Sequence, residues 1–111
     1  MHYQSSAERP PDFDATWAAI LDEAASIELD PTLEQVPLRS SELVDTYTIK
    51  YTSLDGLRIA GWYCVPQAGY LPPPYPALLV LPGYISEPTL PISWAKMGYA
   101  AVGVAPRGKL R

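Results

Sequence analysis

The spacing of apolar positions changes twice along this chain, and each change marks a new kind of element. Phe13, Trp17, Ile20, Leu21 and Ala24 fall at i, i+4, i+7, i+8 and i+11, the stripe of one helical face. Asp12 is placed to cap that helix by accepting from its free amides. Asp12 and Asp14 also lie at its positive end, where negative charge is stabilising. Asp30-Pro31 forces an extended or turn backbone, so the helix is predicted to end near Ser26. Trp17 is expected to bury against later strands and so hold the N-terminal arm down. Residues 32–40 read as a connecting loop.

From Leu43 the period becomes two. Leu43, Tyr47, Ile49 and Tyr51 fall on one side, and Thr46, Thr48, Lys50 and Thr52 on the other. Ser53-Leu54-Asp55-Gly56 reads as a turn, with Gly56 free to take positive φ. A second alternating run sets Leu57, Ile59, Tyr63 and Val65 opposite Arg58, Ala60, Trp62 and Cys64. Together the two runs predict an antiparallel hairpin.

A proline-rich loop from Pro66 to Pro76 leads into Ala77-Leu78-Leu79-Val80-Leu81, an uninterrupted apolar run suited to a strand buried on both faces. Pro82 ends the ladder because it has no N–H, and Gly83 lets the backbone turn sharply. A short helical stretch follows around Leu90–Met97, with Gly98 placed to cap it. A second apolar strand runs from Tyr99 to Val104, and Ala105-Pro106-Arg107-Gly108 turns away from its end. Strand, helix and strand at this spacing form a βαβ unit, hence a parallel pair. Ligands in open α/β sheets bind just past the carboxyl ends of strands. Gly83 and Tyr84 therefore sit where a site is expected, Tyr84 offering both its amide and its ring. The plainer reading is a tyrosine packed on a strand end.

A length of 111 residues allows one small domain. A parallel pair needs cover on both faces, and only one helix belongs to this one. The expected class is α/β, the opening part of a larger domain. Residues 1–40 form an arm, helix and loop, and 41–111 the first strands of an incomplete sheet. The formal charge of −4 offers no basic stripe to nucleic acid. No run approaches the roughly 18 apolar residues that cross a bilayer. Met1-His2-Tyr3-Gln4-Ser5 lacks a signal-peptide pattern, so a cytoplasmic protein is expected. Cys64 is the single cysteine; it permits no internal disulfide and reads as a small buried apolar residue.

Several segments in register resemble the carbohydrate esterase family of acetyl xylan esterases and cephalosporin C deacetylases, whose fold is the α/β hydrolase. They are Arg9-Pro10-Pro11-Asp12-Phe13-Asp14-Ala15-Thr16-Trp17, Tyr51-Thr52-Ser53-Leu54-Asp55-Gly56-Leu57-Arg58-Ile59-Ala60-Gly61-Trp62-Tyr63, Leu81-Pro82-Gly83-Tyr84, Trp94-Ala95-Lys96-Met97-Gly98-Tyr99 and Arg107-Gly108. The resemblance implies hydrolysis of acetyl esters on carbohydrates or other small molecules, through a Ser–His–Asp triad and an acyl-enzyme. It implies that Tyr84 gives a backbone N–H to the oxyanion hole, with Gly83 supporting the turn. It implies no metal or organic cofactor, and oligomers among full-length members. Two stretches depart from the family pattern. Pro82-Gly83-Tyr84 followed by Ile85-Ser86-Glu87-Pro88 stands where the family has His-Gly-Tyr and a glycine-rich loop, and Arg107-Gly108-Lys109-Leu110 stands where it has Arg-Gly-Gln-Gly.

The chain contains no Gly-x-Ser-x-Gly elbow, and the resemblance implies that nucleophile, acid and base all come later in order, beyond Arg111. Ser86 and Ser93 without a positioned base are inert alcohols, and the only histidine is His2 in the polar arm. Arg107 reads as a turn-holding residue ahead of a substrate contact. Trp62, Tyr63, Tyr70 and Tyr75 read as packing groups ahead of a sugar platform. The rival function is an interaction module, since Pro72-Pro73-Pro74-Tyr75 has the Pro-Pro-x-Tyr form that WW domains bind. A degenerate esterase remnant is the third reading.

Overall fold

The computed structural model describes residues 6–83 and 90–105. Helix α1 (Phe13–Ser26) is followed by strands β1 (Thr32–Gln35), β2 (Val44–Thr52), β3 (Arg58–Pro66) and β4 (Ala77–Val80), helix α2 (Ile92–Lys96) and strand β5 (Ala100–Val104). The five strands form one mixed sheet in the order β1-β2-β3-β5-β4. No helix among the described residues is long and apolar enough to cross a membrane.

The predicted hairpin is present. β2 and β3 pair antiparallel, with Thr46 opposite Cys64, Tyr47 opposite Tyr63 and Ile49 opposite Gly61. Its connection places both Asp55 (φ 61°) and Gly56 (φ 71°) in the left-handed region. Asp is one of the few side chains that tolerate that backbone. The β4–α2–β5 unit gives a parallel pair, Leu79 opposite Val102. Helix α2 closes as the sequence suggested. Gly98 has φ 107°, its N–H donates to Ala95 O at 3.0 Å and the Tyr99 N–H to Trp94 O at 3.3 Å. That is a Schellman closure, and the rings of Trp94 and Tyr99 meet edge-on across it at 5.9 Å.

Three expectations are corrected. Residues 32–40 are not only a loop: β1 pairs antiparallel with β2, Leu33 opposite Ile49, and Pro37–Arg39 form a 3₁₀ turn. Thr32-Leu33-Glu34-Gln35 has little apolar signal of its own, and its pairing makes it a strand. Arg58 fastens this edge. Its guanidinium donates to Asp30 O at 2.7 Å, Thr52 Oγ1 at 2.8 Å and Thr32 Oγ1 at 3.2 Å. Second, Asp12 occupies the N-cap position without a side-chain cap. Its φ and ψ of −96° and 10° lie outside the extended region that aims a cap at the first amides, and its carboxylate accepts from the Thr16 hydroxyl at 3.4 Å. Third, Trp17 is half exposed and α1 has no buried residue. The arm is tethered instead by the chain after α1, where the Thr52 N–H donates to Leu29 O at 2.8 Å.

The core lies on the face of the hairpin that carries threonine and cysteine. Val44, Cys64 and Ala95 form one buried cluster, with Ile92 packed against it, so α2 covers this side of the sheet. Thr46 is wholly buried there. Its hydroxyl donates to Arg39 O at 2.9 Å and its N–H to Ser40 Oγ at 3.0 Å, which is why the 3₁₀ turn folds back over β2. The largest fully enclosed side chains are Val44, Thr46, Pro91 and Cys64, all small. Leucines and tryptophans stay partly exposed. The radius of gyration is 17.9 Å, against roughly 13 Å for a compact chain of this length.

β5 pairs closely with β3 because Gly61, opposite Val104, carries no Cβ. A Cβ added at Gly61 would lie 2.5 Å from Gly103 O and 3.2 Å from Val104 Cα. Gly61→Ala is therefore expected to lower stability by about 2 kcal/mol or more by forcing β3 and β5 apart. Gly69→Ala, whose added Cβ meets nothing within 4 Å, is expected to stay within about 0.5 kcal/mol. Urea denaturation of the two variants checks this, and equal shifts would contradict it.

Candidate functional site

The carboxyl ends of β4 and β5 lie side by side, because the strands are parallel and adjacent. Past β4, Leu81 is two-thirds exposed, Pro82 is half-buried and Gly83 is exposed. The backbone thus leaves the sheet for solvent at the position predicted for it. Past β5, Ala105 is buried and its N–H donates to Ala60 O at 3.0 Å. Small side chains floor this end of the sheet: Ala105 and Ala60, with Gly103 and Gly61 just behind. Pro91 is fully enclosed at the start of α2, where its carbonyl accepts from the Ala95 N–H at 3.2 Å. The described geometry here is the exposed end of β4 and the enclosed start of α2, at one end of the sheet.

Tyr84, Ser86 and Arg107 lie outside the described residues, as does His2. Gly83 is the one predicted site residue the structure describes, exposed just past β4. Ser93 is exposed on α2. Among the described residues no cluster of His, Cys, Asp or Glu could hold a metal ion. Asp14 pairs with Arg9 at 3.4 Å, and the Arg9 guanidinium sits 4.5 Å from the centre of the Phe13 ring. That carboxylate belongs to the helix start.

The aromatic residues are drawn into packing. Tyr70 donates its hydroxyl to Lys96 O at 3.0 Å, tying the proline-rich loop to the end of α2. The Tyr75 hydroxyl donates to Leu71 O at 2.6 Å within the same loop. The Pro72–Tyr75 motif therefore has its tyrosine engaged by its own segment. Tyr63 stacks obliquely on Tyr47 at 5.8 Å. Burial first, then the neighbouring Tyr47 and Tyr75, push its phenol above the ordinary range. Burial does the same to Tyr51.

Cys64 is wholly enclosed, with its Sγ 3.6 Å from Thr46 Oγ1. Burial pushes its thiol upward, and the Thr46 contact only partly opposes this. It is the small packing residue the sequence suggested. Sequence reasoning did not find Arg58 as a clamp; its place opposite Thr52 at the mouth of the hairpin is the signal that could have. Nor did it find that the other face of the sheet is open in part, with Leu79 and Leu33 exposed although Ile59 and Val104 on the same face are buried. There Leu29, Ile49, Tyr51, Leu79, Val102 and Val104 line a shallow apolar trough of about 420 Å³.

Comparison with known proteins fits this geometry. The family description "Acetyl xylan esterase (AXE1)" matches residues 1–110. The structure is similar to that of acetyl xylan esterase 1 from a Thermoanaerobacterium species, with a TM-score of 0.79 and 27% identity over 90% of this chain and 31% of that one. It is similar also to an acetyl xylan esterase from a Paenibacillus species, with a TM-score of 0.81 and 27% identity over 96% of this chain and 35% of that one. The chain thus spans about a third of the length of these structures.

Cys64 generates a prediction in two parts. In the folded chain iodoacetamide is expected to leave it unmodified at neutral pH, and in urea to modify it fully; mass spectrometry reads both. The raised thiol and phenols favour the neutral form in the folded state. Their contribution is complete below the unfolded values and is lost as pH rises through the folded ones. Stability should hold up to about pH 8 and then fall, first through Cys64 and, above about pH 10, through Tyr63 and Tyr51. Cys64→Ala should remove the first part of that fall, as urea midpoints against pH would show.

Proposed function

Because the chain belongs to the acetyl xylan esterase family, we propose that it forms the oxyanion side of an acetyl-ester hydrolase with the α/β-hydrolase fold. In this reading it is the N-terminal third of the catalytic domain. The sheet order β1-β2-β3-β5-β4, in which the last strand inserts ahead of its predecessor, supports that fold. The observation that carries the proposal is the parallel β4–β5 pair with Gly83 exposed just past β4. Tyr84 follows Gly83 directly in the sequence, and in this reading its N–H is the oxyanion donor.

The reaction proceeds by nucleophilic acyl transfer. A serine oxygen attacks the acetyl carbonyl as its proton passes to a histidine, the carbonyl oxygen becomes an anion, and the Tyr84 N–H donates to that oxygen. The ester C–O bond then breaks, the alcohol leaves with the proton, and water hydrolyses the acetyl-serine to acetate. An amide aimed at developing charge is worth most in the transition state, and losing such a donor costs about 10²–10³ in rate. The serine, its histidine base and the acid come from polypeptide outside residues 1–111. In this reading Ser86 and Ser93 take no part. Substrates are acetylated carbohydrates or other small acetyl esters, including cephalosporin C-type acetyl groups, and the chemistry uses side chains and water only.

The test has two arms. The 111-residue chain alone should not hydrolyse p-nitrophenyl acetate above the buffer rate, and activity abolished by Ser86→Ala would overturn the assignment. Joined to the remaining domain of an acetyl xylan esterase, the chain should support hydrolysis. Tyr84→Pro, which lacks the N–H, should then lower kcat by about 10²–10³. Tyr84→Ala, which keeps it, should retain most of kcat; equal losses would place the role of Tyr84 in its ring.

A further inference from the structure

We propose that a polar groove over β1 and β2 is a carbohydrate subsite, taking a neutral pyranose unit of the substrate chain away from its scissile acetyl ester. The inference rests on the reading above that the chain is part of a carbohydrate acetyl esterase, but not on the role given to Tyr84.

The groove lies on the face of the hairpin that α2 covers only in part. Val44, Thr46, Thr48 and Lys50 alternate onto that face along β2, and α2 seals it at Val44 and Cys64. Farther along, Thr32, Glu34, Thr48 and Lys50 line a depression of about 340 Å³. Register fixes the set, because Thr32 stands opposite Lys50 and Glu34 opposite Thr48. Four polar positions together suit the side of an antiparallel sheet that faces water.

The charged groups of the groove are exposed. Among the described residues, neither the Glu34 carboxylate nor the Lys50 ammonium has an ion-pair or hydrogen-bond partner. The Thr48 hydroxyl donates to Glu34 O at 3.4 Å, and Arg58 donates to Thr32 Oγ1 at 3.2 Å and Lys50 O at 3.3 Å. Those bonds hold the rim without using either charge. Trp62 stands opposite Thr48, with Gly103 on its other side, so no bulky side chain flanks the indole in its row. It is half-buried, and its N–H has no partner among the described residues, although an enclosed indole N–H usually finds one. A carboxylate accepts from sugar hydroxyls, an ammonium donates to sugar oxygens, and an indole covers an apolar C–H face. The two opposite charges leave the groove near neutral, which favours an uncharged sugar over an anion.

Position ties the groove to the reaction. Lys50 stands opposite Ala60, whose carbonyl accepts from the Ala105 N–H just past β5. Thr32 and Lys50 thus lie toward the end of the sheet at which Gly83 leaves β4. From β1 to β4 there are four strand spacings, about 19 Å. A single pyranose cannot span that distance, and a chain of several can. The groove therefore makes the length of the carbohydrate a determinant of specificity.

The experiment titrates the 111-residue chain with xylohexaose and with xylose, reading tryptophan fluorescence and amide NMR shifts. Xylohexaose should saturate with a Kd on the order of 1 mM, and xylose should bind about tenfold more weakly or worse. Glu34→Ala and Lys50→Ala, at exposed side chains, should each weaken xylohexaose about tenfold without moving the urea midpoint. Trp62→Phe, which keeps a ring and removes the N–H, should abolish most of the fluorescence change. Glu23→Ala, exposed on α1, should leave the Kd unchanged.

The proposal is overturned by no saturable binding, by a Kd indifferent to Glu34→Ala or to Lys50→Ala, or by equal affinity for xylose and xylohexaose. It is equally overturned by a fluorescence change that survives Trp62→Phe, which would place the sugar at Trp17 or Trp94. Joining the chain to the remaining domain of an acetyl xylan esterase keeps the two proposals apart. Hydrolysis of acetylated xylohexaose without binding in the groove sinks the subsite and leaves the oxyanion assignment standing. Binding without hydrolysis sinks only the oxyanion assignment.

Discussion

The insertion of β5 between β3 and β4 is the constraint from which the rest follows. One side of β5 runs antiparallel to β3 and the other parallel to β4, so this strand joins the hairpin to the βαβ unit. The close approach of Gly61 and Gly103 permits it, and no side chain larger than hydrogen at Gly61 would. Once β5 is seated, the carboxyl ends of β4 and β5 lie together and Gly83 opens at their rim. The buried cluster beneath α2 then forms on a face fixed by this pairing.

Burial on that face is small in scale, and its chemistry is unusual for a core. Thr46 and Cys64 face each other in register, and the threonine is enclosed only because Arg39 O and Ser40 Oγ meet its polar groups. A buried hydroxyl left unpaired would cost about 1–3 kcal/mol, so the 3₁₀ turn at Pro37–Arg39 is part of the core. The same logic holds at the opposite end of the hairpin. There the Arg58 guanidinium gathers Asp30, Thr32 and Thr52 and fixes where β1 begins.

Exposure follows from the same arrangement. Leu79, Leu33 and Trp17 stay partly in solvent, and the chain shares its geometry with esterases about three times as long. The carboxyl ends of β4 and β5 lie together at one end of the sheet, with Gly83 exposed just past β4.

Local sequence determined the helix at Phe13–Ser26, the hairpin, the parallel unit and the Gly98 closure, because each rests on short-range physics: period, turn residues and left-handed backbone. It also carried the segments by which the family was recognised, and it placed Gly83 just past a strand. Tertiary structure alone decided that Thr32–Gln35 is a strand, since four residues with one strong apolar side chain acquire that state only from a partner. It decided that Trp17 stays exposed and that Asp12 does not cap, because both depend on where neighbouring backbone lies. Above all it chose the face to bury. Alternation along β2 and β3 marks two sides, but only the crossing of α2 selects the one holding Thr46 and Cys64, because a side chain's burial is set by what packs over it.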